Sequence, residues 1–351
     1  MADSAFEDND TAVDPGDLAL ATKLDSFFTR PGFLIRRANQ ISNASFAEDL
    51  GSLGLTPTQM SSLAVIVDAP GIDQITLARR IGVDRTTISM VVNGLTQHGF
   101  IHRERSPLDA RRNELNPTRA GTACMHLARD HARSNSDTLL KGFSPDEVTR
   151  LRGYVRRLVD EVQASPPEWI RPDGIGDAGA EPDEGLRGHS ELYQAFGFML
   201  RRAHQTLEAA FVECAQSLSL TPRRYGVLRI VETCQPLEQI SLARWLSLDG
   251  STAASVVTEL ARRDYLSRKP SPTDRRRRLL QLTDLGRETY LAARPLAREA
   301  SLRATRVLAG DADDFTRLMQ RFIVQNESLS RVASQRAVIA RAAQLMSAPE
   351  G

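Results

Sequence analysis

The stretch Gln74-Ile75-Thr76-Leu77-Ala78-Arg79-Arg80-Ile81-Gly82-Val83-Asp84-Arg85-Thr86-Thr87-Ile88-Ser89 decides how the rest of the chain is read. Leu77, Ala78 and Ile81 form the inner face of a short helix, with Thr76 as its expected cap. Gly82 supplies a tight turn, because a residue without a Cβ reaches positive φ at no steric cost. Asp84 caps a second helix whose Ile88, Val91 and Leu95 recur at helical spacing and face inward. Arg85, Thr86, Thr87, Ser89 and Asn93 stay on the outer face. Two helices crossing at Ala78 and Gly82 make a helix-turn-helix, and the second has the form that enters a DNA major groove.

A cationic hairpin follows. Phe100 to Arg105 alternates like a strand, Ser106 to Arg112 is turn-rich and basic, and Glu114-Leu115-Asn116 returns as a second strand. Thr118 then caps a further helix. The whole arrangement recurs. Ile75-Thr76-Leu77-Ala78-Arg79 returns as Ile240-Ser241-Leu242-Ala243-Arg244, and Ser106 to Arg112 returns as Ser271 to Arg277, both at an offset of 165 residues. A constant offset over two separate blocks marks a duplicated domain.

The helix-turn-helix, the Asp-x-Arg-Arg hairpin and the Thr-x-x-Gly helix start, each present twice in the same order, resemble the MarR family of winged-helix transcriptional regulators. The resemblance implies a mainly α fold with small β wings. It also implies tandem winged helix-turn-helix domains joined by a helical, dimerisation-like layer about a pseudo-twofold.

Composition agrees with two domains. The 351 residues are 41% hydrophobic and 25% charged, enough for a core in each half. The net charge of +1 gives no bulk attraction to nucleic acid, so any such role rests on local charge. That charge is segregated: Asp3, Glu7, Asp8, Asp10, Asp14 and Asp17 crowd the start, and arginines crowd 262 to 278. No run is long and apolar enough for a membrane span, and the acidic start lacks the features of a secretion signal, so the expected location is the cytoplasm, without a membrane partner. Cys124, Cys214 and Cys234 have no metal-ligand spacing, and Cys214 and Cys234 read as small buried hydrophobes rather than redox sensors. His126 and His131 are off the one-face helical spacing, so no metal and no cofactor is expected.

In chain order, residues 1–17 read as a disordered acidic tail, 18–163 as the first winged-helix domain, 164–189 as a proline- and glycine-rich linker and 190–346 as the second domain. The first domain opens on a helix pair interrupted near Pro31-Gly32. Thr56-Pro57 and its repeat Thr221-Pro222 each start a helix as cap and first-turn proline. Ser144 to Glu147 is a capping box for a helix carrying Val148, Leu151, Val155, Leu158 and Val162. The last helical stretch is broken near Gly310-Asp311. A flexible linker of about 25 residues reaches roughly 25 to 30 Å, which lets the halves act as an intramolecular pseudo-dimer. Further self-association, with two chains pairing half with half, stays open.

The family resemblance assigns site residues. Arg111 and Arg276 would reach the minor groove, oriented by Asp109 and Asp274, while Arg112, Arg275, Arg277 and Arg278 would meet phosphates. Arg85, Thr86, Thr87 and Ser89 would meet base edges. In the second copy Thr252 remains, but Gly250, Ser251, Ala253 and Ala254 replace Arg85, Thr86, Ile88 and Ser89, and Ser247 replaces the turn glycine, so an asymmetric DNA site is expected, with Ser251 and Thr252 as the residues left to meet it. Family regulation implies a small effector, an aromatic carboxylate or phenol, beside the helix carrying Arg36, Arg37, Arg201, Arg202 and His204.

Two functions fit these residues. One is a sequence-specific regulator of double-stranded DNA, a repressor released by a small aromatic or phenolic acid. The other is a ligand-responsive interaction module that keeps the fold without binding DNA, as an antirepressor would. The paired wings favour the first, and the impoverished helix at Gly250 to Ser255 favours the second. No nucleophile with a base, phosphate loop or metal cluster points to an enzyme.

Overall fold

The computed structural model describes residues 23–24, 26–50, 54–105, 113–164, 195–271 and 278–329. The acidic tail, most of the linker and both wing tips, with Asp109, Arg111, Arg112, Asp274, Arg275, Arg276 and Arg277, lie outside the described residues.

The first repeat runs α1 (Pro31–Leu50), α2 (Pro57–Asp68), β1 (Ile72–Asp73), α3 (Gln74–Ile81), α4 (Arg85–Gln97), β2 (Ile101–Arg105), β3 (Asn113–Pro117), α5 (Arg119–Leu139) and α6 (Pro145–Ala164). The second runs α7 (Phe196–Cys214), α8 (Pro222–Cys234), β4 (Leu237–Glu238), α9 (Gln239–Leu246), α10 (Gly250–Arg262), β5 (Leu266–Pro270), β6 (Arg278–Leu282), α11 (Asp284–Thr305) and α12 (Ala312–Asn326). Each repeat has one three-stranded antiparallel sheet, ordered β1-β3-β2 and β4-β6-β5. Ile72 pairs with Leu115 and Arg103 with Leu115 across β3, and Leu237 and Arg268 flank Leu280 in the same way. The fold is therefore mainly helical, with a winged helix-turn-helix formed twice.

Local chemistry sets the boundaries. Thr56 accepts from the Gln59 backbone N–H while the Gln59 side chain accepts from the Thr56 N–H, a reciprocal capping box with Pro57 in the first turn. Ser144 and Glu147 do the same for α6. Asp84 and Asp249 cap α4 and α10, and Thr118 caps α5. The start of α3 differs from the expectation of a Thr76 cap. Asp73 is the cap, because its carboxylate can accept from both the Ile75 and Thr76 N–H groups, and Thr76 sits inside the first turn donating to it at 2.7 Å. Strand β2 also departs from alternation: Ile101 is buried and the next four residues are exposed, because the hairpin leaves the core behind. Strands β1 and β4, two residues each, are too short to show a period.

The chain packs as two compact units. Within the described residues, one unit falls in 38–209 and 304–315, the other in 23–37, 210–303 and 316–329. The core of the former gathers Leu63, Ile66, Leu77, Ile81, Ile88, Val92, Leu95, Ile101 and Leu115 with Phe198 of α7. The core of the latter gathers Leu24, Phe28 and Phe33 with Tyr225, Trp245, Leu246, Val257, Leu260 and Leu280. Phe28 stacks on Trp245 with ring centroids 5.7 Å apart. Each unit thus combines the winged helix of one repeat with leading helical residues of the other. In the first of these units α6 buries Leu151, Val155 and Leu158, and the Tyr154 hydroxyl donates to Asp314 at 2.8 Å.

Candidate nucleic-acid interface and clefts

Helices α4 and α10 present their first turns to solvent. Arg85 and Thr86 are exposed, while Ile88, Val91, Val92 and Leu95 hold the opposite face in the core. Thr87 is half-buried and its hydroxyl is committed to the Asp84 carboxylate at 2.7 Å. The Ser89 hydroxyl donates to the Arg85 carbonyl at 2.8 Å and accepts from the Gln74 amide at 2.7 Å. The expected base readers therefore divide: Arg85 and Thr86 project freely, whereas Thr87 and Ser89 serve the helix and its neighbour. In α10 both remaining hydroxyls are committed, Ser251 and Thr252 donating to Asp249 at 2.5 and 2.6 Å. These bonds hold the Asp249 carboxyl well below the usual carboxylate range, the Ser251 hydroxyl first, and the Thr87 hydroxyl lowers Asp84 likewise.

The hairpins are braced against these helices at repeat-equivalent positions. Arg103 of β2 donates to Asn93 of α4, and Arg268 of β5 donates to Thr258 of α10 at 2.7 Å. Arg278, at the start of β6, is exposed. Behind each hairpin the Thr-x-x-Gly motif locks the next helix: the Thr118 hydroxyl donates to the Gly99 carbonyl at 2.7 Å, and Thr283 to the Asp264 carbonyl. The turn between α3 and α4 uses Gly82 at φ +74°, and Ser247 adopts φ 50° at the matching place.

The arginines expected beside an effector have other partners. Arg36 donates to the Leu246 carbonyl at 2.8 Å, at the C-terminus of α9, and lies over the Phe33 ring at 5.1 Å. Arg201 repeats the stacking on Phe198 at 5.1 Å and donates to the Ser61 hydroxyl at 2.6 Å. Arg37 is buried against Glu327. Arg202 donates to Gln205 at 3.1 Å beside Gly82, and His204 lies 3.6 Å from Glu208.

The large clefts are lined by different residues. In the unit built on the first winged helix, a cleft of about 750 Å³ is walled by Met60, Met125 and Met199 with Arg129, Arg133 and Arg152. Arg129 is ion-paired with Asp68. In the other unit, a cleft of about 840 Å³ is walled by Tyr225 with Arg30, Arg229, Arg294, Arg298 and Arg303. Sequence reading missed these arginines. The signal was present, since Arg129 and Arg133 on α5 recur as Arg294 and Arg298 on α11 at the repeat offset and share a helix face.

Cys124 and Cys234 are buried and Cys214 half-buried, and burial pushes the Cys124 and Cys214 thiols up, away from the reactive thiolate. Among the described residues no helix is long and apolar enough to cross a membrane, and no His, Cys, Asp and Glu group is arranged to hold a metal ion.

Comparison with known proteins agrees with this architecture. Two models of the MarR family match, one over residues 53–112 and one over 220–277. A candidate transcriptional regulatory protein for the hcr operon of Thauera aromatica is 32% identical over 136 residues, 38% of this chain and 82% of the relative. The HTH-type transcriptional regulator YybA of Bacillus subtilis strain 168, itself uncharacterised, is 30% identical over 132 residues, 38% of this chain and 85% of the relative. The HTH-type transcriptional repressor NicR of Pseudomonas putida is 27% identical over 139 residues, 39% of this chain and 88% of the relative. With a matched domain in each repeat, this chain belongs to the MarR family of winged-helix transcriptional regulators and carries two MarR domains in one polypeptide.

Proposed function

We propose that the protein is a sequence-specific repressor that binds double-stranded DNA and is released by a small aromatic or phenolic acid, one chain doing the work of a two-subunit regulator. The observation that carries this reading is the exposed first turn of α4. Arg85 and Thr86 stand free there, on a helix capped by Asp84 and braced by Arg103 of the neighbouring hairpin. Arginine and threonine at the N-terminal end of such a helix are placed to read base edges. The name of the P. putida relative supports the repressor role. The cleft walled by Met60, Met125 and Met199 beside Arg133 and Arg152 supports the effector class, since thioethers adapt to a flat ring and guanidinium groups bind carboxylate in a fork.

The test is a footprint of the full chain on the DNA upstream of its own gene, at stated salt, with and without a panel of aromatic acids. Two protected half-sites about one helical turn apart, lost in an Arg111→Ala, Arg276→Ala double variant and released by one acid, are expected. Absence of protection by folded, ligand-free protein would overturn the reading. It would favour an interaction module without DNA binding, which α10 supports: Gly250 has no side chain and the Ser251 and Thr252 hydroxyls are bound to Asp249.

A further inference from the structure

The two clefts occupy repeat-equivalent places, yet their walls differ in kind. Met60, Ala64 and Ala195 line the first, and the residues 165 positions away are Tyr225, Arg229 and, on the return, Arg30 in the second. Arg129 and Arg133 are matched by Arg294 and Arg298; beside that shared pair the first cleft has Arg152 and Arg156 with Asp137, and the second has Arg30, Arg229 and Arg303. In the first cleft Arg129 is ion-paired with Asp68 and Arg133 with Asp130. Against its arginines the second cleft offers the carboxylate of Glu299, and Arg303 at its edge is held by Glu213 at 3.0 Å. Among the described residues no carboxylate is ion-paired with Arg30, Arg229, Arg294 or Arg298.

Two of these cations, Arg30 and Arg229, are crowded together. Arg229 lies over the Phe27 ring at 5.3 Å and donates through Nη2 to the Ser26 hydroxyl at 3.0 Å, while its Nε is buried without a hydrogen-bond partner. Arg30 donates to the Ser26 carbonyl at 3.3 Å. Its guanidinium is held below the ordinary arginine range by burial and then by the positive charge of Arg229. Like charges gathered in a partly desolvated cleft repel one another, and a ligand with several negative charges relieves that repulsion where a single charge relieves only part. Fork-shaped donors from several directions also match oxygens spread over a phosphoryl group or several carboxylates.

We propose that the cleft walled by Arg30, Tyr225, Arg229, Arg294 and Arg298 binds a small multivalent anion, a polycarboxylate or phosphorylated compound, so that one chain senses two chemically different ligands. This rests on the reading of the protein as an effector-responsive regulator and separates the second effector from the first by charge. Arg294 and Arg298 are exposed on α11, so neutralising them leaves the core untouched.

The experiment is calorimetric titration of the full chain, without DNA and at matched ionic strength, with citrate, inorganic pyrophosphate and the monoanion benzoate. Saturable binding of citrate or pyrophosphate is expected, weakened at least tenfold in an Arg294→Gln, Arg298→Gln double variant and unchanged in the matched Arg129→Gln, Arg133→Gln variant. Whichever of the two probes binds names the source of the negative charge, carboxylate or phosphoryl. Binding of neither probe, equal binding in the Arg294→Gln, Arg298→Gln protein, or benzoate binding as tightly as both overturns the proposal. Because no DNA is present, failure here leaves the footprint result unaffected, and failure of the footprint leaves this titration unaffected.

Discussion

Gly121 lies against the backbone carbonyl of Phe100 so closely that a Cβ on it would stand 2.0 Å from that oxygen, and Gly286 stands in the same relation to Tyr265. The glycine of each Thr-x-x-Gly motif is therefore a packing requirement that sets the helix behind the wing. Gly121→Ala is expected to lower stability by about 1 to 3 kcal/mol through forced backbone displacement. Urea denaturation of the full chain checks this, and an unchanged midpoint would show that the contact yields freely.

The carboxylates of Asp84 and Asp249 cap the two recognition helices and are both held below their usual range by hydroxyl donors. Replacing either with alanine is expected to cost about 1 kcal/mol. Because the folded-state values are depressed, this stabilisation is complete above the unfolded value near pH 4 and is lost as pH falls through the folded value. An Asp84→Asn, Asp249→Asn variant keeps a capping oxygen and loses the titration. Its denaturation midpoint should fall less than that of the parent between about pH 4 and pH 2.

Arg85 is the exposed cation of α4, and its repeat-equivalent on α10 is Gly250. Arg85→Ala is expected to weaken operator binding about tenfold or more, as loss of a base-edge contact does. Gly250→Arg is expected to strengthen it by supplying the missing cation to the weaker helix. Equilibrium binding at two salt concentrations tests both, and equal affinity of all three proteins would remove α4 from the interface.

Arg37 is 1% exposed and pairs with Glu327. Removing one partner of a buried pair strands the other, so Arg37→Ala is expected to destabilise the fold by about 3 kcal/mol. A denaturation curve coincident with that of the parent would show that the arginine has no structural role.

Several site features were legible because their causes are local. Asp84, Thr118, Thr56-Pro57 and Ser144 to Glu147 start helices through bonds spanning three or four residues, so their spacing identifies them. The cap of α3 was misread for a related reason. Asp73 also ends a two-residue strand paired with β3, and that pairing is invisible without the return of the chain at Glu114. The placement of Arg36 and Arg201 was equally hidden, because the Leu246 carbonyl and the Ser61 hydroxyl lie 210 and 140 residues away in sequence.

By itself the sequence determined the duplication, the winged helix-turn-helix in each half and the capped recognition helices, since an offset of 165 residues and short-range periodicity need no knowledge of packing. Tertiary structure decided which helical residues complete each core, joining Phe28 and Phe33 to Trp245 and Phe198 to the first winged helix. It also decided the character of the two clefts. Arg30, Arg229, Arg294 and Arg298 come from three separated segments, and burial of the apolar faces beneath them brings those segments to one wall.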